Sequence, residues 1–256
     1  MALITINGIR LFVEVKGAGF PVILIHGVGG DHHAHLRTVI EPLSKNFKTI
    51  ALDCRGHGQS DKPSQFTITD HANDILAIMD HFGIKKAHLL GVSMGSYIAQ
   101  LVAITAPERI DKLILTVTKS NGLTSSIQRL FKENEAAIKG LDMHFTILKL
   151  LKYMVYDAEL MKNHLEIFET TLSPEQFNAA NKAIGAFDFR NDLSKITAKT
   201  LVISGKYDGL NPPADGREVA SLIKNAIFVE MEYSGHAPMF EEPGTYVNII
   251  EHFLLK

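Results

Sequence analysis

Gly91-Val92-Ser93-Met94-Gly95 gives the strongest indication of the fold in this sequence. A short apolar run precedes this pentapeptide, and a segment with helical periodicity follows it. That context predicts a strand, a sharp turn and a helix, with the Ser93 hydroxyl projecting above the edge of a sheet. Three fixed positions are weak evidence by themselves, so the interpretation depends on the rest of the chain.

Length, composition and charge limit the class of domain and the kinds of binding partner. The chain has 256 residues, of which 46% are hydrophobic and 21% charged, enough for one large α/β domain with a sizeable core. The formal net charge is −2, and no run of Lys and Arg is longer than the pair Lys85-Lys86. We therefore expect no binding to nucleic acid or to a membrane surface.

Two further features concern the compartment. The N-terminus lacks the basic region and long apolar run of a signal peptide, and no segment has the ~18 apolar residues of a membrane span. We expect a cytoplasmic protein. Because Cys54 is the only cysteine, neither an intrachain disulfide nor a cysteine metal cluster is expected.

Apolar runs alternate with helical segments along most of the chain. Asn7-Gly8, between two short alternating runs, indicates a β-hairpin with a type I′ turn. Continuous apolar runs predict strands buried on both faces, at 22–25, 49–52, 87–90, 113–115, 201–203 and 227–229. Helical periodicity covers 71–82, 97–105, 214–223 and 246–254. The alternation predicts a doubly wound, mostly parallel α/β sheet.

Residues 119–188 interrupt this alternation, because helical segments follow one another there without a strand between them. These segments span 128–138, 143–156, 159–171 and 174–184. We interpret the interval as a helical cap, or lid, over one edge of the sheet. Residues 1–118 and 189–256 then form the core. The apolar composition of the cap predicts a medium-sized, largely apolar pocket.

Two residues complete a candidate catalytic set with Ser93. A serine becomes a good nucleophile beside a histidine base that a carboxylate orients. His236 and Asp208 each follow a strand run, so both project from the sheet edge at which Ser93 lies. The chain order Ser, Asp, His accompanies this type of turn. We predict Ser93 as nucleophile, Asp208 as acid and His236 as base. The other candidate acids lack this position at the end of a strand: Asp188, Asp192 and Asp215.

The glycine-rich loop at 26–30 is the candidate oxyanion loop. Attack on a carbonyl produces an oxyanion, which needs two preorganised N–H donors. We predict the backbone N–H groups of Val28 and Met94 as these donors. Substrate binding is assigned to neighbouring residues of the loop: His26, Gly27 and Gly29.

Three hypotheses of cofactor or metal binding have weaker support than the catalytic set. A dinucleotide loop would require glycine where His32 stands. Asp31 and the histidines that follow it resemble a metal site, but no other ligands stand at a recognisable spacing, and Asp31 suits a helix N-cap. The glycines at 56 and 58 lack the Gly-Lys-Ser/Thr of a phosphate loop. We expect no cofactor and no metal.

Taken together, the motifs resemble those of the α/β-hydrolase superfamily. They occur in the family's order over nearly the whole chain: His26-Gly27, Asp53-x-Arg55-Gly56-x-Gly58-x-Ser60, Gly91–Gly95, Ala106–Ile110, Gly205-x-x-Asp208 and Gly235-His236. The resemblance implies an eight-stranded sheet with an antiparallel second strand, a helical cap after strand six, a serine triad and no cofactor. It implies the same roles for Ser93, Asp208 and His236, with Val28 and Met94 as oxyanion donors.

Within the superfamily, the short length and compact cap look like small bacterial carboxylesterases and enol-lactonases. His35 stands where many relatives carry an aromatic residue, and Ser96 where many carry a second glycine. The leading hypothesis is a serine hydrolase of a small carboxylic ester or lactone. Alternatives are C–C hydrolysis or lyase chemistry on a diketone-type substrate, for which Arg190 could reach inward, and a ligand sensor that retains the triad. The particular substrate and the oligomeric state do not follow from the sequence.

Overall fold

A single eight-stranded sheet forms the centre of the computed structural model, which describes residues 1–256. Its strands are β1 (Ala2–Ile6), β2 (Ile9–Lys16), β3 (Pro21–Ile25), β4 (Lys48–Leu52), β5 (Ala87–Val92), β6 (Ile110–Thr116), β7 (Lys199–Gly205) and β8 (Ala226–Met231). They lie in the order β1-β2-β4-β3-β5-β6-β7-β8. Only β2 is antiparallel to its neighbours, β1 and β4, and every other pair is parallel. The predicted eight-stranded, mostly parallel α/β sheet is confirmed.

The predicted hairpin joins β1 to β2. Ile6 pairs with Ile9 across a two-residue turn, in which Asn7 has φ 50° and Gly8 has φ 78°. Positive φ at both central positions defines a type I′ turn, whose twist matches that of the flanking strands.

Eleven α-helices accompany the sheet. They are α1 (His32–Ser44), α2 (Ile68–His81), α3 (Met94–Thr105), α4 (Ser126–Glu133), α5 (Glu135–Ile138), α6 (Met143–Leu150), α7 (Ala158–Met161), α8 (Pro174–Ala183), α9 (Pro213–Leu222), α10 (Pro238–Glu241) and α11 (Pro243–Leu255). Short 3₁₀ helices occupy Pro107–Arg109, Leu151–Tyr153, Lys162–Ile167 and Leu193–Lys195. None of these helices has the length and apolar character needed to span a membrane.

The strands are buried on both faces, which explains their continuous apolar sequences. In β3, Ile23 and Ile25 belong to a core with α2, α3 and α9, whereas Val22 and Leu24 belong to a second core with α1 and α11. Successive side chains of a strand point to opposite faces, so a strand covered on both sides needs apolar residues at every position.

The segment between β6 and β7 is helical, with its two ends held together. An isolated bridge pairs Asn121 with Asp188, and Gly122 N–H donates to the Phe187 carbonyl at 2.7 Å. Apart from α8, which matches the segment predicted at 174–184, the helices are shorter than the periodicity suggested. The segment predicted at 128–138 breaks at Asn134, and that at 159–171 kinks at His164 (φ −136°, ψ 35°). These ends depend on local backbone geometry, which periodicity does not locate.

Three buried histidines, His26, His57 and His71, lie together at the start of the candidate oxyanion loop. The ring centroids of His26 and His57 are 5.1 Å apart, and those of His57 and His71 are 6.4 Å apart. Burial lowers the pKa of His26 to about 4 and that of His57 to about 3, and it holds the pKa of His71 well below the ordinary value. The fold therefore requires these rings to be neutral.

This cluster predicts loss of stability in mild acid. Between the folded-state pKa and the ordinary value of 6.5, the unfolded chain takes up protons that the folded chain excludes, so stability falls as pH falls. His26 alone should cost about 2 kcal/mol of unfolding free energy at about pH 5. Urea denaturation at neutral pH and at about pH 5 measures this loss.

Two variants serve as a matched pair for that experiment. His57→Asn, which keeps a neutral donor near the Arg55 carbonyl, should reduce the dependence of stability on pH. The exposed His33→Asn should leave it unchanged. Equal pH dependence in the parent and both variants would contradict this role of the cluster.

Candidate active site

Ser93 lies on a strained turn between β5 and α3. Its φ of 50° and ψ of −117° place a non-glycine residue in a region that side chains rarely occupy. The flanking glycines are required by close packing. A Cβ on Gly95 would lie 2.2 Å from the Ile25 carbonyl oxygen, and one on Gly91 would lie 2.2 Å from the Gly95 carbonyl oxygen. The turn therefore forms only with glycine at both positions.

The structure brings the three predicted catalytic residues together. His236 Nε2 lies 3.2 Å from Ser93 Oγ, and His236 Nδ1 lies 2.8 Å from Asp208 Oδ2. The other carboxylate oxygen of Asp208 accepts from the backbone N–H groups of Leu210 at 2.8 Å and Asn211 at 2.9 Å. These bonds fix the buried carboxylate so that it orients the imidazole toward the serine.

The rival acids lie elsewhere. Asp188 pairs with Arg190 at 2.5 Å, and Asp192 pairs with Lys195 at 2.6 Å, both at the surface. Asp215 makes no hydrogen bond to His236. Asp208 alone has the geometry of the predicted acid.

The loop that carries His236 is bound to the helical segment above it. The His236 N–H donates to the Met154 carbonyl at 2.7 Å. Glu241 accepts from Gly235 N–H at 2.7 Å and from Tyr156 N–H at 2.6 Å. Sequence analysis missed Glu241, because no motif marks a carboxylate that binds only backbone groups.

The candidate oxyanion loop, residues 26–30, lies against the serine. A Cβ on Gly27 would be 3.4 Å from Ser93 Cβ. Gly27 N–H donates to His35 Nδ1 at 2.9 Å, and His35 Nε2 donates to the Ile167 carbonyl at 2.9 Å. Burial lowers the pKa of His35 to about 4, so the ring stays neutral and can accept that bond.

The two predicted oxyanion donors are free of protein acceptors. No hydrogen bond joins the backbone N–H of Val28 or Met94 to another group of the protein. Val28 lines the cavity above Ser93, and Met94 begins α3, where N–H groups lack partners within the helix. Both groups are therefore available to an oxyanion.

The assignment of His26 to substrate binding is corrected by the structure. The ring is fully buried, with Nδ1 donating to the Gly27 carbonyl at 2.6 Å and Nε2 accepting from Cys54 N–H at 2.9 Å. Both nitrogens are thus used to hold the loop against the end of β4. Gly27 and Gly29, in contrast, line the cavity.

A cavity of about 170 Å³ opens above Ser93 and His236. Most of its wall is apolar and comes from the segment between β6 and β7, including Phe131, Met143, Ile147, Phe168, Phe177 and Ile184. The polar residues of the lining include Tyr97, Lys119, Ser125, Ser126, Asn181 and Asn211. Sequence spacing could have indicated two of these polar residues. Tyr97 stands four residues after Ser93, and Asn211 stands three residues after Asp208.

One group of side chains has metal-ligand chemistry. Potential ligand atoms of Asp31, His32 and Asp53 lie within 4.8 Å of one another. Each carboxylate is already bonded within the protein. Asp31 accepts from Ala34 N–H at 2.7 Å as the N-cap of α1, and Asp53 accepts from His32 Nδ1 at 2.6 Å. Burial alone would lower the pKa of His32, but the carboxylates of Asp53, Asp31 and Glu14 raise it, which disfavours the neutral imidazole that a metal ion needs.

Comparison with known proteins identifies the family. The profile of the α/β hydrolase fold family matches residues 21–142. A Pseudomonas putida protein named 2-hydroxy-6-oxononadienedioate/2-hydroxy-6-oxononatrienedioate hydrolase 1 is 31% identical over 251 residues, covering 91% of this chain and 87% of that protein. The chain belongs to the α/β hydrolase fold family and is a hydrolase.

Solved structures agree with this identification. The chain is similar to the enol-lactonase from Burkholderia xenovorans LB400, with a TM-score of 0.86 and 26% identity over 100% of both chains. It is also similar to a thermophilic esterase from Thermogutta terrifontis, with a TM-score of 0.83, 26% identity and coverage of 98% and 96%. The predicted resemblance to bacterial esterases and enol-lactonases is confirmed.

The packing around the turn predicts opposite effects of one substitution at two glycines. Gly95→Ala should lower the free energy of unfolding by about 1–3 kcal/mol, because its methyl group collides with backbone. Gly244→Ala, in the first turn of α11 with open space around it, should raise it slightly. Thermal denaturation midpoints test both, and a neutral Gly95→Ala would contradict the close approach.

Proposed function

We propose that this protein is a serine hydrolase that cleaves a small carboxylic ester or lactone through an acyl-enzyme intermediate. The observation that carries the proposal is the hydrogen-bonded series from Ser93 through His236 to Asp208, with distances of 3.2 and 2.8 Å, on the floor of an apolar cavity. The half-buried serine is accessible to a small molecule in that cavity.

In the proposed first half-reaction, Ser93 Oγ attacks the carbonyl carbon while His236 Nε2 takes the hydroxyl proton. Asp208 stabilises the imidazolium through its bond to Nδ1. The carbonyl oxygen becomes an oxyanion bound by the N–H groups of Val28 and Met94. The imidazolium then returns its proton to the alcohol oxygen, which leaves, or remains tethered when the substrate is a lactone.

In the second half-reaction, water attacks the acyl-enzyme. His236 accepts one proton from that water, and the oxygen bonds to the carbonyl carbon in a second oxyanion. Collapse of this intermediate breaks the bond to Ser93 Oγ, which recovers the proton, and releases the carboxylic acid. Every proton step uses the same imidazole nitrogen, so the residues of the site balance the reaction by themselves.

A second candidate is hydrolysis of a C–C bond in a diketone-type substrate. The Pseudomonas putida relative, named as a hydrolase of an oxo-dienedioate, favours it. However, Arg190 does not supply the inward cation considered for this chemistry, because it pairs with Asp188 at the surface and is absent from the cavity wall. Parallel assays with phenyl acetate and a vinylogous 1,5-diketone distinguish the candidates by the faster turnover.

We expect Ser93→Ala to lower kcat on phenyl acetate by at least ~10⁴, since the triad acts as one unit. His236→Ala should cost about as much, and the double variant little more. The exposed His33→Ala is the control and should keep parental turnover. Near-parental kcat in Ser93→Ala would exclude the proposed nucleophile.

The acid is tested separately. Asp208→Asn should lower kcat by up to ~10⁴, because the amide favours the wrong tautomer of His236. Asp192→Asn, at the surface, is the matched control. If Asp192→Asn or Asp215→Asn were inactive while Asp208→Asn remained active, the assignment of the acid would be wrong.

A further inference from the structure

Lys119 is the one lysine or arginine in the wall of the active-site cavity, and that wall contains no aspartate or glutamate. The residue follows β6, at the sheet edge that carries Ser93, and is partly buried. Its ammonium lies 5.9 Å from the centroid of the Tyr97 ring. The wall of a mostly apolar cavity thus includes one positively charged side chain.

This ammonium has no carboxylate partner. It donates to the Thr124 carbonyl at 2.8 Å and to Ser126 Oγ at 3.1 Å, which are both neutral acceptors. Because an ammonium has three donors, one remains for a further acceptor. Burial lowers the pKa of Lys119, against the weaker opposing field of Asp215. A bound anion would offset the part of that cost that Asp215 does not compensate.

A series of hydrogen bonds joins Lys119, through Ser126, to the proposed catalytic residues. Ser126 Oγ donates to Asn211 Oδ1 at 2.8 Å, and Asn211 Nδ2 donates to the Tyr97 hydroxyl at 2.7 Å. Asn211 N–H donates in turn to Asp208 at 2.9 Å. The position of the ammonium is therefore fixed relative to the catalytic residues.

The first turn of α4 adds to the positive potential. Ser126 and Ile127 begin this helix and both line the cavity. The N-terminal end of a helix carries unpaired N–H groups and a partial positive charge. A single negative charge beside Lys119 would contact this end as well.

We propose that Lys119 binds a carboxylate of the substrate, so that the preferred substrate is an ester or lactone that also carries a free carboxylate. The inference rests on the proposed function and names the substrate class of the same site. One ammonium with hydroxyl neighbours matches a monoanion, and the mostly apolar wall of the cavity accommodates a hydrocarbon chain between that carboxylate and the ester group.

The test compares an acid with its neutral isostere. Monophenyl adipate and monophenyl suberate carry a carboxylate at the far end, and the corresponding ω-carboxamides have nearly the same shape without charge. For each chain length, kcat/KM is measured for the acid and the amide, and their ratio removes effects common to both. We expect the parent to prefer the acid in at least one chain length.

Two lysine variants give the decisive comparison. Lys119→Met should lower the acid-to-amide ratio by about tenfold or more, mainly through KM, because a charge-assisted hydrogen bond is lost. Lys119→Arg should retain part of the preference. Lys132→Met removes the same charge from an exposed position on α4 outside the cavity, so it should keep the parental ratio.

The assays distinguish failure of the carboxylate site at Lys119 from failure of the serine hydrolase function. If the parent cleaves phenyl acetate but prefers the amides, or if Lys119→Met keeps the parental ratio, the carboxylate site is wrong and the serine hydrolase assignment stands. If the parent cleaves neither phenyl acetate nor any of the four esters, the proposed function itself is overturned.

Discussion

The close approach of the first turn of α3 to the end of β3 is the constraint on which the rest of the site depends. Gly95 lies so near the Ile25 carbonyl that no side chain fits between them. This contact holds Ser93 in its strained conformation and brings the oxyanion loop, which continues directly from β3, against the serine. One packing contact therefore positions the proposed nucleophile and both proposed oxyanion donors.

The helical segment between β6 and β7 does more than cover the cavity. Its Met154 carbonyl accepts from the backbone of His236, and Ile167 accepts from His35, whose ring holds Gly27. The proposed base and the oxyanion loop are thus each bound to the segment that forms the pocket wall. Movement of this segment would alter the geometry of the proposed catalytic residues as well as access to them. The assignment of residues 119–188 as a helical cap, or lid, over one edge of the sheet stays a prediction.

Most of the sheet could be predicted because buried parallel strands leave a clear sequence signal. The type I′ hairpin and the six apolar runs correspond to strands, and Ser93, Asp208 and His236 meet because strand ends share one edge. The predictions failed where tertiary contacts decide. The helix expected at 128–138 breaks at Asn134, where no proline or glycine signals the break.

Side-chain direction was the other source of error. His26 stands in the oxyanion loop, yet its ring turns away from the cavity to bind Cys54 N–H. Lys119 has no motif around it, and only the cavity lining shows that it borders a pocket without acids. Sequence spacing places a residue at an edge but does not determine which way it faces.

Labelling with a fluorophosphonate, followed by peptide mass mapping, tests the central claim most directly. We expect one adduct per chain, on Ser93, with full loss of esterase activity and no adduct on the same peptide in His236→Ala. Inactivation with the adduct on another residue, or an active enzyme whose Ser93 stays unmodified, would contradict it.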